Sequence, residues 1–311
     1  MTNSFLSTHT VECPQYLLDN ANGLPAAATA VVNAGSKVVM HSTKLATDEG
    51  LISPVLVGDT NAIQSLALDL NWDISNVRVI QAKNEDEAAA VAVSLAKGHE
   101  VASLMKGHIH TDHLLKAVIN KELGLRTERR LSHVFHMSVP NSNAAICITD
   151  AVINVSPSVN IKLDIARNAT SLMHALGYEQ PKIAVLSATE VATPAMPSSM
   201  EAQEVVHAAQ AGEIEGALLG GPFAFDNAVS PLAAKLKGIT DPVAGNADVL
   251  LVPNIETGNA LFKQMVYFMG AAAAGLVLGA TVPIILTSRA DPAAARLASA
   301  ALAAIYANKS V

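Results

Sequence analysis

Short apolar runs alternate with amphipathic or Ala-rich segments along the whole chain. The short runs, rich in Val, Ile and Leu, predict buried strands, and the longer segments between them predict helices. Repeated β–α units of this kind are typical of mostly parallel sheets covered by helices. The strands are predicted at residues 37–41, 53–57, 77–80, 101–105, 132–137, 144–149, 182–186, 216–219, 248–252 and 282–286.

Helices are predicted between these strands, at residues 85–97, 112–121, 161–176, 200–211, 258–270 and 292–306. The 22 residues from Met265 to Leu286 carry no charge and are long enough to span a membrane. Three glycines and Pro283 interrupt this stretch, and a β-branched run ends it. We therefore predict a buried helix followed by a buried strand, and no membrane span.

The composition favours two domains with large apolar cores. The chain has 311 residues, of which 50% are hydrophobic, 15% charged and only 4% aromatic, against about 25% charged residues in an average protein. At roughly 150 residues per domain, two domains are expected. A polar stretch at 139–143 separates two predicted strands, which suggests a first α/β domain of residues 1–139 plus 284–311 and a second of 140–283.

The charge balance and the cysteines exclude several classes of function. The net charge is −7, and no Lys/Arg-rich run is available to neutralise a row of phosphates, so no nucleic-acid partner is expected. Cys13 and Cys147 are far apart in sequence, which excludes a disulfide framework and a cysteine zinc site. A signal peptide begins with a positively charged region, but no Lys or Arg precedes Lys37. We expect a cytoplasmic protein.

The loop after the last predicted strand has the residues of an anion site. Thr287, Ser288, Arg289 and Asp291 lie between that strand and the final helix. Free amide groups at a helix N-terminus attract anions, and the planar guanidinium of Arg289 suits phosphate. Two alternatives stay open, because Asp291 before Pro292 is also an ordinary helix cap and Arg289 also suits a salt bridge.

Three other loops at predicted strand ends offer polar groups or bare backbone to a ligand. The histidine-rich loop before the helix at 112–121 carries His110 and Thr111, with Lys116 further along that helix. Without a second ligand cluster, a polar loop facing a substrate is favoured there over a metal site. Gly221 and Pro222 form either a ligand cradle or a tight turn, and Asn259 either lines the site or caps a helix. The common dinucleotide, nucleoside-triphosphate and hydrolase motifs are absent from the sequence.

Four segments together resemble the phosphate acetyl/butyryltransferase family. They are residues 148–154, 181–187, 248–259 and 283–289, and the resemblance extends from about Met105 to the end. The first hundred residues agree with the family only in their α/β pattern. The Thr-Ser-Arg-Ala-Asp loop is similar to the butyryl-type branch and to transferase domains fused to enoyl-CoA hydratases.

The resemblance implies two three-layer α/β/α domains related to the isocitrate and isopropylmalate dehydrogenases, with an active site in the inter-domain cleft and usually a homodimer. It implies the reaction acyl-CoA plus phosphate gives acyl phosphate plus CoA, with CoA as a substrate and no tightly bound cofactor. The family's Ser-Arg pair matches Ser288 and Arg289, and the arginine binds phosphate. Lys116 stands where many acetyltransferases have arginine, and Asp291 lies closer to the Ser-Arg pair than the family's aspartate base.

These residues suggest direct transfer in a ternary complex, with Ser288, Arg289 and Asp291 as the catalytic group. His110, Thr111, Lys116, Gly221, Pro222 and Asn259 are the expected substrate-binding residues. A carboxylate near the CoA thiol would raise the thiolate fraction, and Asp291 is the candidate base. The alternatives are an NAD- and metal-dependent dehydrogenase of the same fold and a non-catalytic module that senses acyl-CoA or phosphate.

Overall fold

The computed structural model describes residues 5–140, 142, 144–288 and 291–309. The strands are β1 (Ala27–Val32), β2 (Ile52–Gly58), β3 (Arg78–Gln81), β4 (Ser103–Lys106), β5 (Ser132–Ser138), β6 (Ala145–Thr149), β7 (Lys182–Leu186), β8 (Leu218–Phe223), β9 (Val249–Leu251), β10 (Ala272–Leu278) and β11 (Ile284–Ile285).

The helices lie between the strands. They are α1 (Gln15–Ala21), α2 (Lys37–Asp48), α3 (Thr60–Asp69), α4 (Glu85–Lys97), α5 (Thr111–Val118), α6 (Val159–Ala175), α7 (Pro197–Ala208), α8 (Phe225–Val229), α9 (Pro231–Leu236), α10 (Ile255–Met269) and α11 (Ala293–Lys309). A π-helical turn, Ala209–Glu213, follows α7. The mixed α/β class with mostly parallel sheets is confirmed. No described helix is long and apolar enough to cross a membrane.

The chain divides into two compact units. Unit I comprises Glu12–Arg129 and Ala274–Lys309, and unit II comprises Arg130–Ala273 with the segment up to Val11. The two crossings between units come ten residues before the boundaries expected at 139/140 and 283/284. As a result, the whole of β5 lies in unit II.

In unit I the strand order is β3-β2-β1-β4-β11-β10. All neighbouring pairs are parallel except β10 with β11, which are antiparallel. Six of the ten buried residues of helix α11 are alanines, which allows close packing, and the Ser299 hydroxyl accepts a hydrogen bond from the Gly275 amide at 2.9 Å. The carboxyl ends of β4 and β11 lie side by side, so Lys106, the last residue of β4, and the loop that begins at Thr287 lie at the same edge of the sheet.

In unit II the order is β5-β6-β9-β7-β8, with β5 antiparallel to β6 and the other pairs parallel. Its core is formed by apolar side chains of β5, β6, β7 and β9 together with the inner faces of α8, α9 and α10. Lys162 of α6 is almost fully buried and pairs with Glu201 of α7, which ties these two helices together.

Nine of the ten predicted strands and all six predicted helices are found, with shifted ends. The strand at 37–41 is wrong, because these residues begin helix α2. The Ser36 hydroxyl caps the helix by accepting from the Val39 amide, and Val39, Met40, Thr43 and Ala46 are buried at helical spacing. Strands β1 and β10 and helices α1, α2, α3, α8 and α9 were not predicted.

The uncharged stretch from 265 to 286 also differs from its prediction. Helix α10 ends at Met269, Gly270 takes the left-handed conformation with φ of 66°, and the alanine-rich segment that follows is strand β10. Alanine suits a helix better than a strand in isolation. Here most of the strand is buried, Leu276 and Val277 pair with β11, and the Gly275 amide donates to Ser299 of α11, so tertiary packing overrides local preference.

Candidate active site

The loop from Thr287 to Asp291 begins where β11 ends and leads into α11 in unit I. Strand β11 is parallel to β4, with Ile285 opposite Met105, so Lys106 and Thr287 emerge at the same edge of the sheet. Ligands of open parallel sheets bind at this edge. Thr287 is half-buried and Ser288 is exposed.

Ser288 and Asp291 are hydrogen-bonded to each other across the loop. The Ser288 amide donates to Asp291 Oδ2 at 2.6 Å, and the Asp291 amide donates to the Ser288 carbonyl at 3.2 Å. The carboxylate of Asp291 is therefore fixed relative to the backbone of Ser288, on the strand side of the loop. The alternative of Asp291 as an ordinary helix cap did not include the hydrogen bond from the Ser288 amide to this carboxylate. Two of the three expected catalytic residues are brought together; the third, Arg289, lies outside the described residues.

Arg296 is a site residue that the sequence interpretation missed. Its side chain lies about a turn into α11 and reaches back to the loop. Its Nη2 donates to the Ser288 carbonyl at 2.7 Å, its Nε to the Asp291 carbonyl at 3.2 Å and its Nη1 to Thr287 Oγ1 at 3.4 Å. One signal was available, because Arg296 is the only charged residue between Ala293 and Ala304.

The electrostatics of the loop centre on Asp291. Burial is the largest influence and raises the pKa of this carboxyl above its usual value, while the hydrogen bond from Ser288 and the charges of Arg296 and Lys106 oppose the shift. Burial lowers the pKa of Arg296, and the charge of Asp291 counteracts it. A carboxylate with a raised pKa is a stronger base than a solvated one.

A small cavity of about 10 Å³ lies beside this group, lined by Lys106, Thr287 and Arg296 together with apolar side chains and Ser42. This volume admits about one water molecule. Two cationic side chains and two hydroxyl-bearing side chains thus line this cavity at the end of β11, together with Val39, Met105 and Ile285.

The expected residues of the histidine-rich loop lie at the start of α5. The His110 amide donates to Glu85 Oε2 at 2.9 Å, and the His110 and His113 rings are 6.1 Å apart. Thr111 is the first residue of α5, and Lys116 is exposed in its last turn. The His113 ring is hydrogen-bonded to Asp86 at 2.7 Å, which raises the pKa of His113. The contacts of this loop thus lead to the N-terminus of α4.

Gly221 and Pro222 lie within strand β8 and not in a tight turn, joined by a cis peptide bond. The space beside the glycines is filled by the protein itself. A Cβ atom on Gly220 would lie 2.5 Å from Asp241 Oδ1, and one on Gly221 would lie 2.6 Å from the Val185 carbonyl oxygen. The physical reason for glycine here is close packing within unit II.

Asn259 lies in the first turns of α10, and its Nδ2 donates to the Ala151 carbonyl at 3.4 Å. It is preceded by Gly258, where a Cβ would come within 2.9 Å of the Asp150 carbonyl oxygen. Asp150 is itself buried and accepts hydrogen bonds from the amides of residues 152, 153 and 154. Asn259 is thus part of the contact between α10 and the loop after β6.

Among the residues that the structure describes, no group of three or more His, Cys, Asp or Glu side chains is arranged to hold a metal ion. The acid–base groups at the Thr287–Asp291 loop are one carboxylate, two cations and two hydroxyls. Such a set can take up a proton and bind an anion.

Comparison with known proteins identifies the family. A model described as "Phosphate acetyl/butaryl transferase" matches residues 83–304. The chain is 47% identical to the phosphate acetyltransferase of Rickettsia prowazekii, over 94% of this chain and 84% of that protein. It is 37% identical to the phosphate butyryltransferase of Clostridium acetobutylicum, over 89% of this chain and 92% of that protein.

Solved structures agree. A branched-chain phosphotransacylase from Enterococcus faecalis superposes with a TM-score of 0.79 at 32% identity, covering 91% of this chain and 99% of that one. A 4-hydroxythreonine-4-phosphate dehydrogenase from Burkholderia phymatum, at 14% identity and a TM-score of 0.56 over 92% of this chain and 99% of that one, shows a related fold. Together with the sequence matches, these similarities show that the chain belongs to the phosphate acetyl/butyryl transferase family and is an acyltransferase.

Proposed function

We propose that the protein transfers an acyl group between CoA and inorganic phosphate, and that the Thr287–Asp291 loop is where this happens. The observation that carries this proposal is the pairing of the Ser288 amide with the Asp291 carboxylate at 2.6 Å, held by Arg296 at the end of β11. The names of the similar proteins, phosphate acetyltransferase and phosphate butyryltransferase, support the same pair of substrates.

Asp291 acts as the base in this proposal. In the direction of acyl-CoA synthesis, its carboxylate takes the proton of the CoA thiol, which has an ordinary pKa of about 8.5. The thiolate sulfur attacks the carbonyl carbon of the acyl phosphate and forms a carbon–sulfur bond. The bond between that carbon and the bridging phosphate oxygen breaks, and phosphate leaves. In the reverse direction a phosphate oxygen attacks the thioester and the thiolate recovers its proton.

The remaining proposed catalytic residues stabilise the negative charges of the reacting groups. The tetrahedral intermediate carries an oxyanion, and the exposed Ser288 hydroxyl is its proposed donor; a donor of this kind contributes on the order of 3 kcal/mol. Arg289 is proposed from the sequence alone as the ligand of phosphate. Lys116, His110, Thr111, Gly221, Pro222 and Asn259 remain proposed substrate-binding residues. The contacts described above give a packing reason for Gly221 and Asn259 as well.

CoA is a substrate in this reaction, so no tightly bound cofactor is needed, and acyl-CoA, phosphate and acyl phosphate are the proposed partners. We also propose a homodimer. Helix α10 exposes Tyr267, Phe268 and Met269, each about half accessible, and Phe5 lies beside Phe268 with ring centroids 6.4 Å apart. A second copy of the chain would cover this apolar surface. The reducing cytoplasm is the proposed location, because the two cysteines are free thiols.

Initial rates of CoA release from acetyl-, propionyl- and butyryl-CoA at fixed phosphate test the proposal. We expect phosphate-dependent CoA release with at least one acyl chain, and Arg289→Ala should reduce it by orders of magnitude without unfolding the protein. Absence of acyl phosphate with all three thioesters would refute the proposed reaction and favour a sensor. Unchanged turnover in Arg289→Ala would remove that residue from the mechanism.

A further inference from the structure

Arg296 is buried and yet charged. Its residue is 8% exposed, and it is surrounded along α11 by alanines and other small or apolar side chains. Burying a guanidinium is costly unless its donors and its charge are satisfied. The three hydrogen bonds to the loop satisfy donors on all three of its nitrogen atoms.

These bonds hold both sides of the loop with a single rigid group. The Ser288 and Asp291 carbonyls lie on either side of residues 289–290, and both accept from the same guanidinium. The third bond reaches Thr287, the residue that follows the buried end of the strand. Because the donors of arginine are fixed in one plane, the distance between these acceptors is fixed as well.

We propose that Arg296 is a positioning residue for acyl transfer, which holds the loop that carries Ser288 and Asp291 in its reactive geometry. This inference rests on the proposed role of Asp291 as the base. Arg296 itself acts through the loop, because it donates to the carbonyls of Ser288 and Asp291 and to Thr287.

The electrostatics agree with the geometry. Among the described residues, the charged groups that act on Asp291 are Arg296 from α11 and Lys106 from β4, and both oppose the effect of burial on its pKa. Loss of the Arg296 charge leaves burial opposed only by Lys106 and the Ser288 amide. The pKa of Asp291 then rises further, so the carboxylate form is lost at a higher pH.

The experiment compares Arg296→Gln and Arg296→Lys with the wild type, measuring kcat, KM for CoA and the pH dependence of acyl-CoA formation from acyl phosphate. We expect Arg296→Gln to lower kcat about 100-fold and to move the acid limb of the profile to higher pH. Arg296→Lys keeps the charge but not the planar fork, so it should retain the wild-type acid limb with about a tenfold lower kcat.

Arg167→Gln is the matched control. Its guanidinium also holds a neighbouring segment, because it donates to the carbonyl of Glu213 in the π-helical turn at 3.0 Å, and it pairs with Asp164 of its own helix α6, in unit II, at 2.9 Å. We expect Arg167→Gln to lose as much thermal stability as Arg296→Gln but to keep the wild-type pH profile. The double variant Asp291→Asn/Arg296→Gln should lose little more than Asp291→Asn, because the two residues act on one step.

The outcomes separate the two proposals. If wild-type protein makes no acyl-CoA, the proposed function fails. If the wild type is active and Asp291→Asn is impaired, but folded Arg296→Gln keeps the wild-type kcat and acid limb, the positioning role alone fails. If Arg296→Gln does not fold, Arg296→Lys tests the positioning role instead. An acid limb displaced to higher pH in Arg296→Lys would overturn that role, and so would additive losses of kcat in the Arg296→Lys/Asp291→Asn double variant.

Discussion

At the scale of single residues, the site depends on how a few charged groups are buried. Asp291 is a carboxylate whose pKa is raised by burial and lowered by Ser288, Arg296 and Lys106. A carboxylate whose pKa is raised in this way is a better proton acceptor than a solvated aspartate. The distance of 2.6 Å to the Ser288 amide shows that the loop backbone also takes part in this balance.

Asp291→Asn tests the base directly. The amide oxygen of asparagine can still accept from the Ser288 amide, so the loop should keep its shape while the proton acceptor is lost. We expect kcat for acyl-CoA formation to fall by about 100- to 1,000-fold with a small change in thermal stability. Initial-rate assays measure kcat, and a thermal melt measures the change in stability. A variant with wild-type kcat would leave Asp291 as a loop-closing residue only.

At the scale of elements, the segments that follow β1 and β4 at the carboxyl edge of unit I are packed closely against each other. Gly107 follows β4, and its amide donates to the Val32 carbonyl at 2.9 Å, while the next amide, of His108, donates to Asn33. A Cβ on Gly107 would lie 2.2 Å from the Val32 carbonyl oxygen. The ends of β1 and β4 are therefore fixed relative to each other by a position that only glycine fits.

Gly107→Ala should consequently destabilise unit I. The backbone of β1 cannot move aside as a flexible side chain could, so a loss of roughly 1–3 kcal/mol in the free energy of unfolding is expected. Gly35→Ala is the control, because its Cβ would meet only the Ala62 methyl at an ordinary 3.6 Å. Chemical denaturation of both variants measures the difference. Equal stability of the two would contradict the close packing described for these loops.

At the scale of the whole molecule, stability depends on pH through a buried histidine of unit II. His136 is buried in β5, and burial lowers its pKa from 6.5 to about 4. The folded protein thus holds a neutral imidazole, whereas the unfolded chain takes up a proton once the pH falls below about 6.5. Acid therefore favours the unfolded state.

The stabilisation lost in this way should be roughly 3 kcal/mol, spread between pH 6.5 and pH 4 and complete below the folded pKa. In His136→Gln this part of the pH dependence should vanish, so the melting temperature should fall less steeply on acidification than in the wild type. His207→Gln, at an exposed position of α7, serves as the control. Parallel melting curves for wild type and His136→Gln across this range would show that His136 is not responsible.

The sequence by itself determined the α/β class, most strands and the longer helices, because periodic burial of Val, Ile and Leu is a local pattern. It also indicated the loop at 287–291, since strand, polar loop and helix follow one another directly. Where local pattern and packing disagree, the sequence prediction failed: residues 37–41 begin a helix that Ser36 caps, and the alanine-rich β10 forms a strand that pairs with β11 and is bonded to Ser299 of α11 through the Gly275 amide. Only the tertiary structure revealed Arg296 as part of the site, because its bonds to Thr287, Ser288 and Asp291 depend on how α11 folds back against the end of β11.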